Sequence, residues 1–149
     1  MKLGIKRIFR KDPSRFEGFR IIRLIAALYM SVMVARSCIH LFASDGGAQS
    51  IAGIDTSVEG GDNIIAIFHQ WGATQLLLAL FLTLLFIRYP GMTPLIVLTL
   101  AVEPVMRLIA GQMKSVTADG APPGESLNGL SFVLLAGLFI ASVLEKRTR

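Results

Sequence analysis

The sequence predicts an all-α, polytopic membrane protein: a bundle of four transmembrane helices with both termini in the cytoplasm and a basic amphipathic N-terminal segment. The chain has 149 residues, of which 53% are hydrophobic and only 17% charged, a composition more apolar than soluble domains of this size have. The apolar residues form four long stretches, and basic residues flank these stretches unevenly. The single cysteine cannot form an internal disulfide. Rossmann-type enzymes, nucleic-acid-binding domains and secreted disulfide scaffolds are therefore excluded.

Residues 1–20 precede the first apolar stretch and are predicted to lie on the membrane surface. Apolar side chains alternate there with basic ones, a composition typical of segments that bind anionic lipid. A helix is expected to start either at Asp12, with Pro13 after it, or at a capping box of Ser14 and Glu17. It should run on through Arg23, which is expected to reach the lipid phosphates. The residues proposed to contact the surface are Lys6, Arg7, Arg10, Lys11, Arg15 and Arg20.

The four apolar stretches make up the predicted bundle, residues 21–144, and a basic tail, 145–149, follows it. They cover 21–43, 64–87, 93–111 and 127–144, which are 23, 24, 19 and 18 residues. A helix needs about 17 to 25 residues to cross a bilayer. The first stretch exceeds the 7 to 15 apolar residues of a signal peptide, and no small-x-small cleavage site follows it. We therefore expect it to be retained as a span.

The distribution of lysine and arginine predicts the orientation, because basic residues near a span are held on the cytoplasmic side. Eleven of the fifteen lie in residues 1–20, in the connection after the second stretch and in the tail, whereas the other two connections hold only Lys114. The first of those connections carries four acids, Asp45, Asp55, Glu59 and Asp62. Both termini are therefore expected in the cytoplasm. The connection at 88–91 is so short that the second and third helices should be antiparallel neighbours.

Ionisable and amide side chains within the spans are the candidate functional residues, since each is costly in hydrocarbon unless it is paired or faces a wet cavity. Counting inward at about 1.5 Å per residue places the ionisable ones all in the outer half of the membrane. We therefore expect them to meet around one outward-facing polar pocket. The proposed pocket residues are Arg36, His40, His69, Gln70, Glu103 and Arg107.

Spacing adds detail to this pocket. Arg36 and His40 are four residues apart, as are Glu103 and Arg107, so each pair shares a helix face. Glu103 and Arg107 are expected to form an ion pair, which leaves Arg36 to find Glu103, a glutamine or an anion. Three interpretations remain open: a purely structural cluster, a site for a lipid or an anionic small molecule, and redox or proton chemistry. His40 and His69 could serve as haem ligands, but no further haem signature accompanies them.

The third and fourth spans also carry a short motif. Arg107, Leu108 and Ile109 are followed after a gap by 119–122, Asp-Gly-Ala-Pro, and then by the last apolar helix. In this motif and in its layout over 20–144 the chain resembles the DoxX-like group of small bacterial membrane proteins. The resemblance implies a four-helix bundle in the bacterial inner membrane, in some members linked to quinone or thiol redox systems. No quinone or thiol site is evident in the residues themselves.

The leading functional prediction is a non-enzymatic accessory or scaffold subunit of a larger inner-membrane complex, since no catalytic set or metal motif is present in the sequence. The alternatives are a binder of a lipid or an anionic small molecule and a redox or quinone-linked subunit. No cofactor is assigned, with haem and quinone left open. The expected partners are anionic membrane lipids and other membrane proteins, and nucleic acid is not expected.

Overall fold

The computed structural model describes residues 6, 8–9, 11–120 and 122–144, and this part of the chain is helical, as predicted. A 3₁₀ turn, Pro90–Met92, joins the second and third helices. Each predicted apolar stretch is covered by one helix whose ends lie within three residues of the predicted ones. The helices are α1 (Arg20–Phe42), α2 (Gly61–Arg88), α3 (Thr93–Met113), a single turn α4 (Pro123–Ser126) and α5 (Asn128–Val143).

Three of these helices are long and apolar enough to cross a membrane, namely Arg20–Phe42, Gly61–Arg88 and Pro90–Met113 with its leading turn. The fourth, α5, is apolar but has only 16 residues, about 24 Å at the usual rise per residue. The single turn α4 precedes it and begins at Pro123, a residue type favoured at the first position of a helix. Leu127 alone separates the two helices and has φ −91° and ψ −4°.

Large apolar side chains cover the outside of the helices as well as their inside. On α1, Leu24, Leu28 and Val32 point outward and are 56%, 60% and 67% exposed. The outer faces of α2 and α5 carry further exposed leucine, isoleucine and phenylalanine residues. In water such a surface would cause aggregation, whereas hydrocarbon solvates it. The composition of these faces is therefore typical of helices that contact lipid.

The inner faces of the four main helices share one apolar core. The closest backbone pairing joins α1 to α2 and α3 to α5, while α2 and α3 approach each other at few positions despite their short connection. Small residues allow the α1–α2 approach: a Cβ on Gly72 would lie 2.6 Å from the backbone of His40 and Leu41. The core comprises Ile22, Ala26, Met30, Met33, Ala79, Leu82, Phe86, Ile96, Val97, Leu100, Ala101, Leu135 and Leu138.

The segment before α1 differs from the prediction. Residues 11–19 are not helical, and α1 begins only at Arg20. Asp12 accepts a hydrogen bond from the Ser14 amide within a local turn, and the Pro13 carbonyl accepts one from the Gly91 amide at 2.7 Å. The helix start predicted at Asp12 or Ser14 is therefore wrong. The Pro13 carbonyl bonds to the α2–α3 turn and not to an amide one helical turn further along its own segment.

Candidate functional site

The guanidinium of Arg23 links α1 to the α2–α3 turn and to the end of α2. Its Nη2 donates to the Phe86 carbonyl at 3.0 Å. Its Nη1 donates to the Thr93 hydroxyl at 2.9 Å and to the Pro90 carbonyl at 3.3 Å. The guanidinium carbon also lies 4.0 Å from the centre of the Phe86 ring. Arg23 therefore points inward to the end of α2, and the expectation that it reaches the lipid phosphates is wrong.

The remaining basic residues of the N-terminal segment are on the surface. Lys6, Lys11, Arg15 and Arg20 are exposed, while Arg7 and Arg10 lie outside the residues that the structure describes. Arg15 and Arg20 line a small cavity of about 460 Å³ together with Arg23 and Pro90. Their exposure is compatible with a surface role, and their contact with lipid stays a prediction.

The opposite end of the bundle, where the two long loops connect the helices, brings polar side chains from three helices together. We call Arg36 on α1, Gln75 on α2, and Glu103 and Arg107 on α3 the arginine cluster. Arg107 Nη2 lies 2.9 Å from Glu103 Oε2, which is the ion pair expected from their spacing. Arg36 Nη2 lies 4.0 Å from Glu103 Oε1. The cluster thus holds two guanidinium groups against one carboxylate.

Gln75 connects Arg36 to Glu103, which in turn pairs with Arg107. Its Oε1 accepts a hydrogen bond from Arg36 Nη2 at 3.1 Å, and its Nε2 donates to Glu103 Oε1 at 2.9 Å. The Gln75 side chain is 6% exposed, so both of its bonds are shielded from solvent. A buried amide that gives and accepts in this way links α1 to α3 through α2.

An aromatic wall covers the other side of Arg36. The Trp71 ring lies 5.2 Å from the Arg36 guanidinium carbon and 4.5 Å from the His40 ring. His40 is buried, and its Nδ1 lies 2.7 Å from the Gly46 carbonyl oxygen. The ring therefore anchors the start of the first loop. A Cβ on Gly47, whose φ is +76°, would lie 3.2 Å from the same nitrogen, so glycine allows the loop to fold closely over His40.

A cavity of about 750 Å³ opens beside the arginine cluster, and we call it the loop-end cavity. Arg36, His40 and Arg107 line it on one side. Apolar side chains from both loops and from the helices form most of the remaining lining, among them Ile51, Ile54, Phe68, Trp71, Leu108 and Val116. Exposed Lys114 and Glu125 also contribute, with opposite charges.

Two buried polar atoms on residues that line this cavity have no hydrogen-bond partner. They are Arg107 Nε and Asn128 Oδ1. Asn128 is 8% exposed and begins α5. Buried polar atoms in folded proteins are nearly always paired, so each exception calls for an explanation. Both residues line the cavity, but these two atoms are themselves inaccessible to solvent.

The two long loops are tied to each other beside the cavity. The Gly53 carbonyl accepts a hydrogen bond from the Asp119 amide at 2.8 Å. In the first loop, the Asp45 carboxylate accepts bonds from the amides of Ser50 at 2.7 Å and Gly47 at 2.8 Å. These bonds lower the pKa of Asp45 from its usual 3.8 to about 2. Bonds from Ser57 likewise lower the pKa of Asp55.

The structure separates the predicted pocket residues into two groups. Arg36, His40 and Arg107 line the cavity. Glu103 is not part of the lining and is bonded to Gln75 and Arg107. His69 and Gln70 do not line it. His69 Nδ1 lies 2.9 Å from the Leu41 carbonyl oxygen, and Gln70 is exposed.

Helix rotation explains this separation. The residues of α2 that are buried within the bundle are Gly72, Gln75, Ala79, Leu82 and Phe86. At about 100° per residue this spacing is one continuous face. Positions 69 and 70 are rotated away from it. The residues overlooked as site residues are therefore Gln75, which only the rotation of α2 distinguishes from Gln70, and Asn128, for which no local signal exists.

No metal site accompanies the cluster: residues 11–120 and 122–144 contain no group of three or more His, Cys, Asp or Glu side chains placed to hold an ion. Comparison of the chain with protein-family models, with curated proteins and with solved structures finds no match. What the protein binds must therefore be inferred from its own side chains.

Proposed function

We propose that the protein is a four-span membrane protein that binds an anionic amphiphile in the loop-end cavity, on the outer side of the membrane. The observation that carries the proposal is the charge of the arginine cluster. Arg36 and Arg107 face a single carboxylate, Glu103, and Arg107 Nε is left without a partner. An unbalanced cation at such a position costs several kcal/mol unless an anion compensates it.

The size and lining of the cavity indicate the class of ligand. About 750 Å³ falls within the range of pockets for drug-sized organic molecules and is far more than an inorganic anion needs. Most of the lining residues are apolar, and the charged ones include Arg36 and Arg107. A molecule with one anionic group and an apolar body matches this division. A lipid with an anionic headgroup is the amphiphile most abundant around such a protein.

The proposed topology places the loop-end cavity outside and both termini in the cytoplasm. Its support is the concentration of lysine and arginine at the opposite end of the bundle. For the fourth crossing, α4 and α5 together with Leu127 give 21 residues, 123–143, in nearly continuous helical conformation. Slight thinning of the bilayer would accommodate the shorter α5. The membrane proposed is the bacterial inner membrane.

Binding can be tested on the purified protein by native mass spectrometry with defined lipids. We expect phosphatidylglycerol to be retained in preference to phosphatidylcholine, and Arg107→Met to weaken retention about tenfold because it removes the unbalanced charge. Arg36→Met serves as a second variant with the same expected loss. Arg88→Met, which removes an exposed arginine at the other end, is the control. Equal retention of both lipids by the parent protein would overturn the proposal.

Topology can be tested with cysteine labelling in a Cys38→Ser background. Asp55 and Asp119 are both exposed, so Asp55→Cys and Asp119→Cys should react with a membrane-impermeant maleimide added from outside. Reaction of either position only after the cytoplasmic side is opened would contradict the proposed orientation.

The accessory-subunit role, the DoxX-like relationship and the redox alternative stay predictions. Protein partners that co-purify in mild detergent would support the first. A Soret band or an extracted quinone in the purified sample would support the last. The geometry favours ligand binding over both because it supplies a cavity lined by two arginines that share one carboxylate, whereas the exposed apolar faces are those expected of any helix in lipid.

A further inference from the structure

We infer that the anionic group of the ligand binds between Nη1 of Arg36 and Nη1 of Arg107, beside the bare Cα of Gly124. This inference rests on the proposed function, since it assumes that the loop-end cavity takes an anionic amphiphile. What it adds is the position and the chemistry of the anion. The group is an oxyanion with at least two oxygen atoms, such as a phosphate, which bridges guanidinium groups from two different helices.

The two arginines make their bonds to the bundle through Nη2. Nη2 of Arg36 donates to Gln75 Oε1 at 3.1 Å, and Nη2 of Arg107 lies 2.9 Å from Glu103 Oε2. Among the residues that the structure describes, none accepts a hydrogen bond from Nη1 of either arginine. The unpartnered side-chain atoms that are sealed from solvent in this part of the chain are Arg107 Nε and Asn128 Oδ1. The two Nη1 atoms are not among them, so both stay accessible.

Gly124 lies against both of these Nη1 atoms. A Cβ on Gly124 would be 3.5 Å from Nη1 of Arg107 and 3.5 Å from Nη1 of Arg36. Apart from its own chain neighbours and helix backbone, no other atom of the described residues comes within 4 Å of that point. Gly124, Arg36 and Arg107 all line the loop-end cavity. The missing side chain therefore leaves a space in the cavity that the two guanidinium groups border.

The fold itself does not require glycine at position 124. A contact of 3.5 Å is an ordinary van der Waals distance, so the methyl group of alanine would fit there. The φ angle of Gly124 is not positive, and alanine is favoured over glycine in helical conformation. What a methyl group would change is access to the two Nη1 atoms. Gly124→Ala is therefore expected to fold normally and to bind the anion poorly.

Two guanidinium groups that border one space favour a bridging oxyanion. Charge-assisted hydrogen bonds from arginine to phosphate, about 2.8 Å long, are among the stronger ones in proteins. Glu103 compensates one of the two positive charges and is paired through Nη2 of Arg107. The second charge and both Nη1 donors are then available to the ligand. A phosphate group has enough oxygen atoms to accept from both arginines at once, whereas a neutral group would leave the charge uncompensated.

The first test measures lipid retention by the intact protein with native mass spectrometry. We expect the parent to retain phosphatidylglycerol over phosphatidylcholine and Gly124→Ala to retain phosphatidylglycerol about tenfold less, with an unchanged melting temperature. Gly129→Ala is the control, because Gly129 does not line the cavity and a Cβ there meets nothing within 4 Å. It should behave like the parent. A preference for phosphatidylglycerol that survives in Gly124→Ala overturns the inference.

The second test needs no added ligand. Gly124→Asp places a carboxylate of the chain itself beside the two Nη1 atoms, and we expect the melting temperature in detergent to rise by about 3 °C. Gly124→Asn has the same shape without the charge and should give no rise. Gly129→Asp should give none either, although Gly129 is the second residue of α5 as Gly124 is of α4. No rise in Gly124→Asp would show that the guanidinium groups do not converge there and would overturn the inference.

The outcomes separate this inference from the proposed function. Equal retention of phosphatidylglycerol and phosphatidylcholine by the parent overturns the proposed function, whereas the melting temperature of Gly124→Asp still tests where the two arginines converge. Soluble glycerol 3-phosphate distinguishes the source of the phosphate. If it raises the melting temperature of the parent and not of Gly124→Ala, the site is supported and takes free phosphate compounds. If it raises neither while lipid retention depends on Gly124, the site is supported and takes a lipid headgroup.

Discussion

The two ends of the bundle use partly buried arginines in different ways. At the α2–α3 turn, Arg23 is surrounded by oxygen atoms of the chain and stacks on Phe86, without a carboxylate. At the loop end, Arg36 and Arg107 share Glu103, and Arg107 Nε lacks a partner beside a cavity. In the first arrangement the chain itself supplies the partners of the arginine. The second holds two guanidinium groups against one carboxylate.

The difference follows from what each arginine finds nearby. The last carbonyls of a helix lack partners within it and carry partial negative charge, so the end of α2 supplies Arg23 with acceptors at no cost in further buried charge. Arg36 and Arg107 lie within their helices, whose carbonyls are already bonded. Side chains must compensate them there, and the three helices provide one carboxylate and one amide. The comparison teaches that the surroundings of a partly buried arginine, and not its burial, determine how fully the chain itself compensates its charge.

The largest effect should come from removing the one carboxylate of the arginine cluster. Glu103→Gln leaves two partly buried guanidinium groups without compensation, and we expect it to destabilise the protein by about 3 kcal/mol. Adding Arg107→Met should recover part of this loss, because a missing pair costs less than an unpaired charge. Thermal unfolding in detergent of the two single variants and the double variant measures the coupling. Strictly additive effects would show that the cluster does not act as a unit.

A somewhat smaller effect is expected at the opposite end. Arg23→Met leaves the Phe86 and Pro90 carbonyls without this donor and should destabilise the protein by about 2 kcal/mol. Lipid retention by the folded variant should stay unchanged, because Arg23 does not line the loop-end cavity. Arg20→Met, at an exposed site one turn earlier, is the control for both measurements. A loss of phosphatidylglycerol retention in Arg23→Met would erase the proposed distinction between the two ends.

The bridging amide should matter less than the charges it connects. Gln75→Leu removes two hydrogen bonds, but Arg36 and Glu103, already 4.0 Å apart, can move into direct contact. We expect a loss of about 1 kcal/mol in the free energy of unfolding. Gln70→Leu, on the same helix but exposed, is the matched control and should be neutral. Equal losses in the two variants would mean that α2 is rotated differently from the arrangement described.

The smallest effect concerns the first loop. Because the pKa of Asp45 is lowered from 3.8 to about 2, the carboxylate stabilises the folded loop above pH 4 and this contribution disappears as the pH falls towards 2. At neutral pH, Asp45→Asn should speed hydrogen exchange at the amides of Gly47 and Ser50 without a measurable change in global unfolding. Asp55→Asn should act only on Ser57. Unchanged exchange in Asp45→Asn would show that its carboxylate does not order the loop.

Features that depend on neighbours within one helix were predictable. The lengths of the four apolar stretches gave the helices to within three residues, because helix length in a membrane protein follows the apolar run. The four-residue spacing of Glu103 and Arg107 gave their ion pair, since such residues share a face whatever surrounds the helix. The four-residue spacing of Arg36 and His40 likewise placed both on the cavity side.

Features that depend on how one helix is turned toward another were not predictable from the residues alone. Gln70 and Gln75 are chemically identical, and only the rotation of α2 brings Gln75 between Arg36 and Glu103. Arg23 could have reached lipid, but the position of the α2–α3 turn supplied nearer acceptors. Asn128 lines the cavity together with Arg107 because the start of α5 lies there. Each of these placements depends on contacts between segments far apart in the chain. The packing of the helices against one another determines which of the possible contacts forms.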